Sequence, residues 1–253
     1  MRFNGHFLLR TAVVLLLLIL GSEADGAEGV VLLHGLCRSS ASMKEMERAL
    51  AKEGYVVLNV DYPSRTATVE ALSESIIGAA LRSPRLAETN KIHFVAHSLG
   101  GILVRYYFAR HHEPRLGRVV MLGPPNKGSE VVDALKDWLP FRKINGPAGS
   151  ELGTHSHSLP RRLGPVGFEL GIIAGDRSIN WINSMMIPGP DDGKVSLEST
   201  KVEGMKEHVV IHRTHPFIMK ARESIELTIR FLKSGSFRAP HVMSDTKGRR
   251  DYD

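Results

Sequence analysis

The sequence predicts an α/β fold: a mostly parallel sheet of about six strands with helices on both faces. Two observations carry this. Short, continuous apolar runs such as Gly29-Val30-Val31-Leu32-Leu33 recur along the chain, the pattern of strands buried on both sides. Segments with helical periodicity alternate with these runs, so the strands are joined by crossovers, and right-handed crossovers place helices on both faces. The 253 residues suit one domain with room for an inserted cap or lid, and no internal repeat is apparent.

In chain order, the first strand is Gly29 to Leu33 and ends in His34-Gly35-Leu36. Ser39 to Lys52 reads as a helix, with Met43, Met46, Ala49 and Leu50 on one face. Tyr55 to Val60 is the second strand, followed by the loop Asp61 to Ser64 and a helix from Thr68 to Leu81. Lys91 to Ala96 is a strand and Leu99 to His111 its helix. Gly117 to Leu122 follows as a strand, and Ser129 caps a helix reaching about Leu139. Phe168 to Ala174 and Glu207 to Ile211 are the last strands, and Phe217 to Lys233 is the last helix. Two stretches interrupt the alternation, Phe141 to Val166 and Asn180 to Lys194. The first is rich in Gly and Pro and reads as an irregular, lid-like insertion, with Phe141, Leu152 and Leu159 as its apolar pocket-facing residues.

The amino terminus reads as a targeting segment rather than as fold. Arg2 and Arg10 flank a short positive region, Ala12 to Leu20 is apolar but short for a membrane span, and Ser22-Glu23-Ala24 offers small residues for cleavage. Residues 1–24 are therefore expected to be a signal peptide or an amino-terminal anchor. The protein is expected to be periplasmic or secreted, or else held at a membrane by that segment. Residues 25–234 form the domain, and 235–253 read as a disordered tail. Cys37 is the only cysteine, so no intramolecular disulfide can form; it is expected to be a small packing residue. Losing the leader removes Arg2, Arg10 and Glu23 and takes the net charge from +6 to +5. That mild basicity lacks the aromatic interleaving or motifs of a nucleic-acid binder, and leaves contact with an anionic membrane surface open. His155 and His157 have no Cys or acidic cluster in sequence to complete a metal site.

The chemistry centres on Ala96-His97-Ser98-Leu99-Gly100-Gly101, at a strand–turn–helix junction. This is the nucleophile-elbow pattern with Ala in its first position. Small residues let strand and helix cross closely, while the serine hydroxyl is held above the sheet at the positive end of the helix. A serine nucleophile needs a base, and the base an orienting acid. His215, in the loop before the last helix, is favoured as base over His212. Asp192 is favoured as acid because it opens an Asp-Gly turn; Asp191 is its neighbour, and Asp176, at the end of the fifth strand, is the rival. Backbone N–H groups of Leu36 and Leu99 are the candidate donors to an oxyanion. His34 and His97 are expected to frame these loops rather than titrate.

These residues resemble the lipase and esterase branch of the α/β-hydrolase superfamily. The resemblance rests on His34-Gly35-Leu36, the elbow, Gly123 to Ser129, Asp192-Gly193-Lys194-Val195 and Thr214-His215-Pro216-Phe217, and covers about residues 28–234. It implies the α/β-hydrolase fold and hydrolysis of acyl esters through an acyl-enzyme on Ser98, with no cofactor and no metal. The substrate would be a small-molecule acyl ester or a lipid. An acyltransferase or thioesterase using the same residues, or a binding protein on the same fold, are the alternatives.

Overall fold

The computed structural model describes residues 26–239. Six strands form one parallel sheet in the order β2-β1-β3-β4-β5-β6. They are β1 (Glu28–Leu33), β2 (Val56–Val60), β3 (Lys91–His97), β4 (Leu116–Leu122), β5 (Leu170–Gly175) and β6 (Glu207–Ile211). The order reverses after β2: the chain first builds outward to β2, then crosses β1 and adds β3 to β6 on its other side.

Helices cover both faces because the strands are apolar on both. Val30 and Leu32 of β1 face one core with Met43, Met46 and Leu50, the last two on α1 (Lys44–Lys52). Val31 and Leu33 face the other, with residues of α2 (Val69–Leu81) and α3 (Leu99–Phe108). All four β1 side chains are fully buried. Burial of each such side chain contributes roughly 1.5–3 kcal/mol. Alternate residues of a strand point to opposite faces, so one apolar run serves two cores. The next helices are α4 (Glu130–Leu135), α5 (Leu139–Ser150) and α6 (Leu159–Arg162). After β5 come α7 (Trp181–Ser184), α8 (Leu197–Thr200) and, last, α9 (Arg222–Ser234).

The stretch expected to be irregular from Phe141 to Val166 contains most of α5 and all of α6. Gly146, at φ 66° and ψ −171°, breaks α5 into two pieces. Pro147 thus opens a fresh helical turn, where its missing N–H costs nothing. Phe141 and Leu152 are buried and line the cleft described below, whereas Leu159 packs on the core away from it. Cys37 also departs from expectation: it is exposed, at φ 57° in the turn after β1. The tail expected to be disordered from 235 is docked at its start. Phe237 is buried against Phe231 at 4.8 Å, and its N–H donates to Glu207 at 2.6 Å. The expected leader and the rest of the tail lie outside the described residues.

Candidate active site

The junction of β3 and α3 is as tight as its small residues imply. A side chain at Gly100 would place its Cβ 2.9 Å from the Leu33 backbone oxygen. Ser98 sits between the two elements at φ 53° and ψ −119°, a backbone region that L-residues rarely occupy. Such a conformation costs on the order of 1–3 kcal/mol and persists only where the surroundings fix it. Here β3, α3 and the bond from Ser98 N–H to Leu122 O (2.9 Å) do so.

Two loops at the same edge of the sheet bring the other groups. The loop after β6 carries His215, whose Nε2 lies 3.0 Å from Ser98 Oγ. The turn after α7 carries Asp192, whose Oδ2 lies 2.7 Å from His215 Nδ1. With a carboxylate on one ring nitrogen, Nδ1–H donates to Asp192 and Nε2 is left to accept from the serine hydroxyl. Asp192 is held in turn: its Oδ1 accepts from the N–H groups of Lys194 (3.0 Å) and Val195 (2.9 Å). The backbone N–H of His215 donates to Asp192 O at 2.9 Å, so acid and imidazole are fastened twice. Ser98, His215 and Asp192 are each less than a tenth exposed.

The rival residues find each other instead. Asp176 Oδ1 lies 2.9 Å from His212 Nδ1, and the His212 side chain is 77 % exposed. Asp191 is structural: its Oδ1 accepts from Gly193 N–H at 2.6 Å and Ser184 Oγ at 2.9 Å. Leu36 and Leu99 both flank the serine. A Cβ on Gly35 would stand 3.1 Å from Ser98 Cβ, so the backbone leading to Leu36 runs against the serine. Leu99 is the first residue of α3, where an N–H has no partner within the helix.

The histidines expected to frame the loops do so by hydrogen bonds. His34 Nδ1–H donates to Gly35 O (2.9 Å), its Nε2 accepts from Tyr62 N–H (3.2 Å), and its ring stacks on Tyr62 at 4.0 Å. His97 Nε2–H donates to the His215 carbonyl at 3.1 Å, a contact between the elbow and the histidine loop that the sequence did not announce. Ser129, read as a helix cap, makes no cap bond; its hydroxyl donates to Lys194 O at 2.7 Å and fastens the Asp192 turn. His155 pairs with Asp133 (3.2 Å) and Lys136 (2.8 Å). Among the described residues no group of three or more His, Cys, Asp or Glu could hold a metal ion.

Burial pushes His34 and His93 below the usual histidine range, and His97 well below it, with the neighbouring His215 adding to the effect on His97. The unfolded chain takes up protons on these rings near pH ~6.5, whereas the folded one does so only at lower pH. Their contribution is therefore complete above that value and is lost as pH falls, by up to about 1.4 kcal/mol per pH unit for each ring. Thermal melts from pH 7.5 to 5 should show a steadily falling midpoint. A midpoint that stays level over that range refutes the assignment of three neutral buried imidazoles.

Above Ser98 lies a cleft of about 510 Å³, walled by apolar side chains that include Leu36, Val131, Val132, Leu135, Phe141 and Leu152. Val131, Val132 and Leu135 come from α4, whose helical pattern was legible although its role as a cleft wall was not.

A parallel sheet with a serine on the strand–helix turn, and an acid and a histidine on later loops at the same edge, is the architecture of the α/β hydrolases. Comparison with known proteins agrees. The sequence matches the alpha/beta hydrolase family over residues 30–190, and the chain belongs to that family. No curated protein sequence matches it significantly. Among solved structures, the mature lipase BlEst2 of Bacillus licheniformis superposes with a TM-score of 0.64 at 20 % identity, covering 85 % of this chain and 94 % of that one. A thermophilic esterase from Thermogutta terrifontis gives a TM-score of 0.53 at 16 % identity, over 84 % of this chain and 91 % of its own. Phospholipase PlaB from Legionella pneumophila gives 0.57 at 19 % identity over 69 % of this chain, which matches 46 % of that longer protein. At these identities the likeness is one of fold.

Proposed function

We propose that this protein is an exported serine hydrolase of the lipase and esterase type, cleaving carboxylic esters through an acyl-enzyme. The observation that carries the reading is the hydrogen-bonded chain Ser98–His215–Asp192, at 3.0 and 2.7 Å, on the floor of an apolar cleft. Ser98 Oγ attacks the ester carbonyl carbon while its proton passes to His215 Nε2. Asp192 stabilises the imidazolium and holds the ring's tautomer. The carbonyl oxygen, now anionic, accepts from the N–H groups of Leu36 and Leu99. Collapse expels the alcohol, which takes the proton from His215. Water then repeats the sequence on the acyl-enzyme and regenerates Ser98. No step calls for a cofactor. Export is part of the proposal and rests on the apolar run Ala12 to Leu20.

The test is a panel of acyl esters of rising chain length, a thioester and an amide, together with fluorophosphonate labelling. Esters should be turned over fastest, and the protein should label stoichiometrically. If α4 walls the acyl channel, Leu135→Trp should cut kcat/KM for long-chain esters by at least about 10-fold, since even one methylene in an apolar pocket is worth that much. Acetate ester turnover, which needs no long acyl channel, should change far less. Equal losses on every ester would place the acyl chain elsewhere, and absence of labelling would refute the hydrolase reading.

A further inference from the structure

The large apolar side chains left exposed are not scattered. Nine are exposed among the described residues, and eight come from three short segments that also supply cleft-lining residues. Trp138, Leu139 and Ile144 belong to the start of α5 and its approach; Ile179, Trp181, Ile182 and Met185 to α7 and its flanks; Phe217 follows His215. Ile144 and Ile179 line the cleft itself, and Asn180, Asn183 and Pro216 line it between the others. Only Val210, on β6, lies apart. The two tryptophans of the chain, 59 % and 70 % exposed, are both in this rim. Isolated exposed apolar residues need no explanation, but a cluster around one opening does.

Charge narrows the occupant. The segments 136–144, 176–187 and 213–220 carry Lys136, Arg142, Lys143, Arg177, Arg213 and Lys220 against two acids, Asp137 and Asp176, the latter already paired with His212. Apart from Lys136, which bonds His155, none of these six cations joins an ion pair or a side-chain–side-chain hydrogen bond among the described residues. Tryptophan and aliphatic side chains interleaved with cations match the boundary of a lipid leaflet with anionic headgroups. A protein partner whose apolar face carried no acidic rim would leave this excess of positive charge unmatched. Among the described residues no helix is long and apolar enough to cross a membrane, so the contact would be peripheral.

We infer that the cleft rim docks on an anionic lipid surface, with Trp138, Trp181, Ile182, Met185 and Phe217 entering the headgroup boundary and the flanking cations facing the headgroups. Docking in this way presses the mouth above Ser98 onto the leaflet, so an acyl chain can pass into the cleft without crossing water. Binding needs no turnover, and the inference stands or falls apart from the hydrolase reading.

The experiment uses the Ser98→Ala chain, so that no lipid is consumed, with vesicles of phosphatidylcholine alone or with phosphatidylglycerol. Mixed vesicles should sediment the protein and shift its tryptophan emission to the blue, since both indoles lie in the rim. Trp181→Ser with Met185→Ser should weaken partitioning at least tenfold. Arg142→Gln with Lys143→Gln should weaken it about 25-fold at low salt, at about fivefold per cation. Val210→Ser, away from the rim, should leave it unchanged. Absence of sedimentation and blue shift, or equal binding to the two vesicle types, overturns the inference. So does a blue-shifted, concentration-dependent dimer in the absence of lipid, because a second copy would then cover the rim.

Discussion

Ser98→Ala should lower ester turnover by about 10⁶-fold and leave a slow residue from the binding cleft and oxyanion donors alone. Fluorophosphonate labelling should disappear. The thermal midpoint should hardly move, because the hydroxyl's partner is the His215 ring and the backbone strain at φ 53° is the same for alanine. Crystals or melts of the variant therefore separate loss of chemistry from loss of fold. Retained labelling in the variant would move the nucleophile away from the elbow.

The second large effect distinguishes two carboxylates that look alike in sequence. Asp192→Asn should cost roughly 10⁴-fold in kcat. The amide would donate to His215 Nδ1 and leave the proton on Nε2, where the ring can no longer accept from Ser98. Asp176→Asn should cost little, since Asp176 faces the exposed His212. His215→Ala should match Ser98→Ala, because the groups act as a unit, whereas His212→Ala should be nearly silent. Measuring all four in parallel decides the assignment. A greater loss from Asp176→Asn or His212→Ala would transfer the role to the surface pair.

The sheet was legible in the sequence because its strands are buried on both faces, which leaves nearly uninterrupted apolar runs such as Val30 to Leu33. The elbow was legible because close crossing of β3 and α3 excludes side chains at Gly100. Asp192 stood out from Asp176 only through the glycine after it. That Asp176 would instead meet His212 depends on neighbouring strand ends, β5 and β6, and no local pattern records it. The region from Phe141 to Val166 misled for the opposite reason. Its glycines and prolines look like loop signals, yet Gly146 breaks α5 once and Pro147 begins the next turn. Cys37 looked like packing beside an apolar strand, but the turn at φ 57° carries it outward. Ser129 had the form of a cap, and tertiary contact with Lys194 redirected its hydroxyl. The cleft walls were legible as helix faces but not as walls, because a helix's periodicity does not say what its apolar side meets.

The order of the strands also governs when Ser98 can meet His215. The serine and its flanking donors come from β1 and β3, but the imidazole comes from the loop after β6, the last strand, which pairs only with β5 at the sheet edge. Ser98 and His215 are 117 residues apart. A contact of that span carries a large loop-closure cost and forms after local structure. If Ser98 and His215 act as proposed, a growing chain holds the serine without its base for the 117 residues of synthesis that separate them. On that proposal, Ser98 lacks its hydrogen bond to His215, and so its base, until the loop after β6 is in place. Turnover regained on refolding should then mark the pairing of β6 with β5 rather than the first collapse.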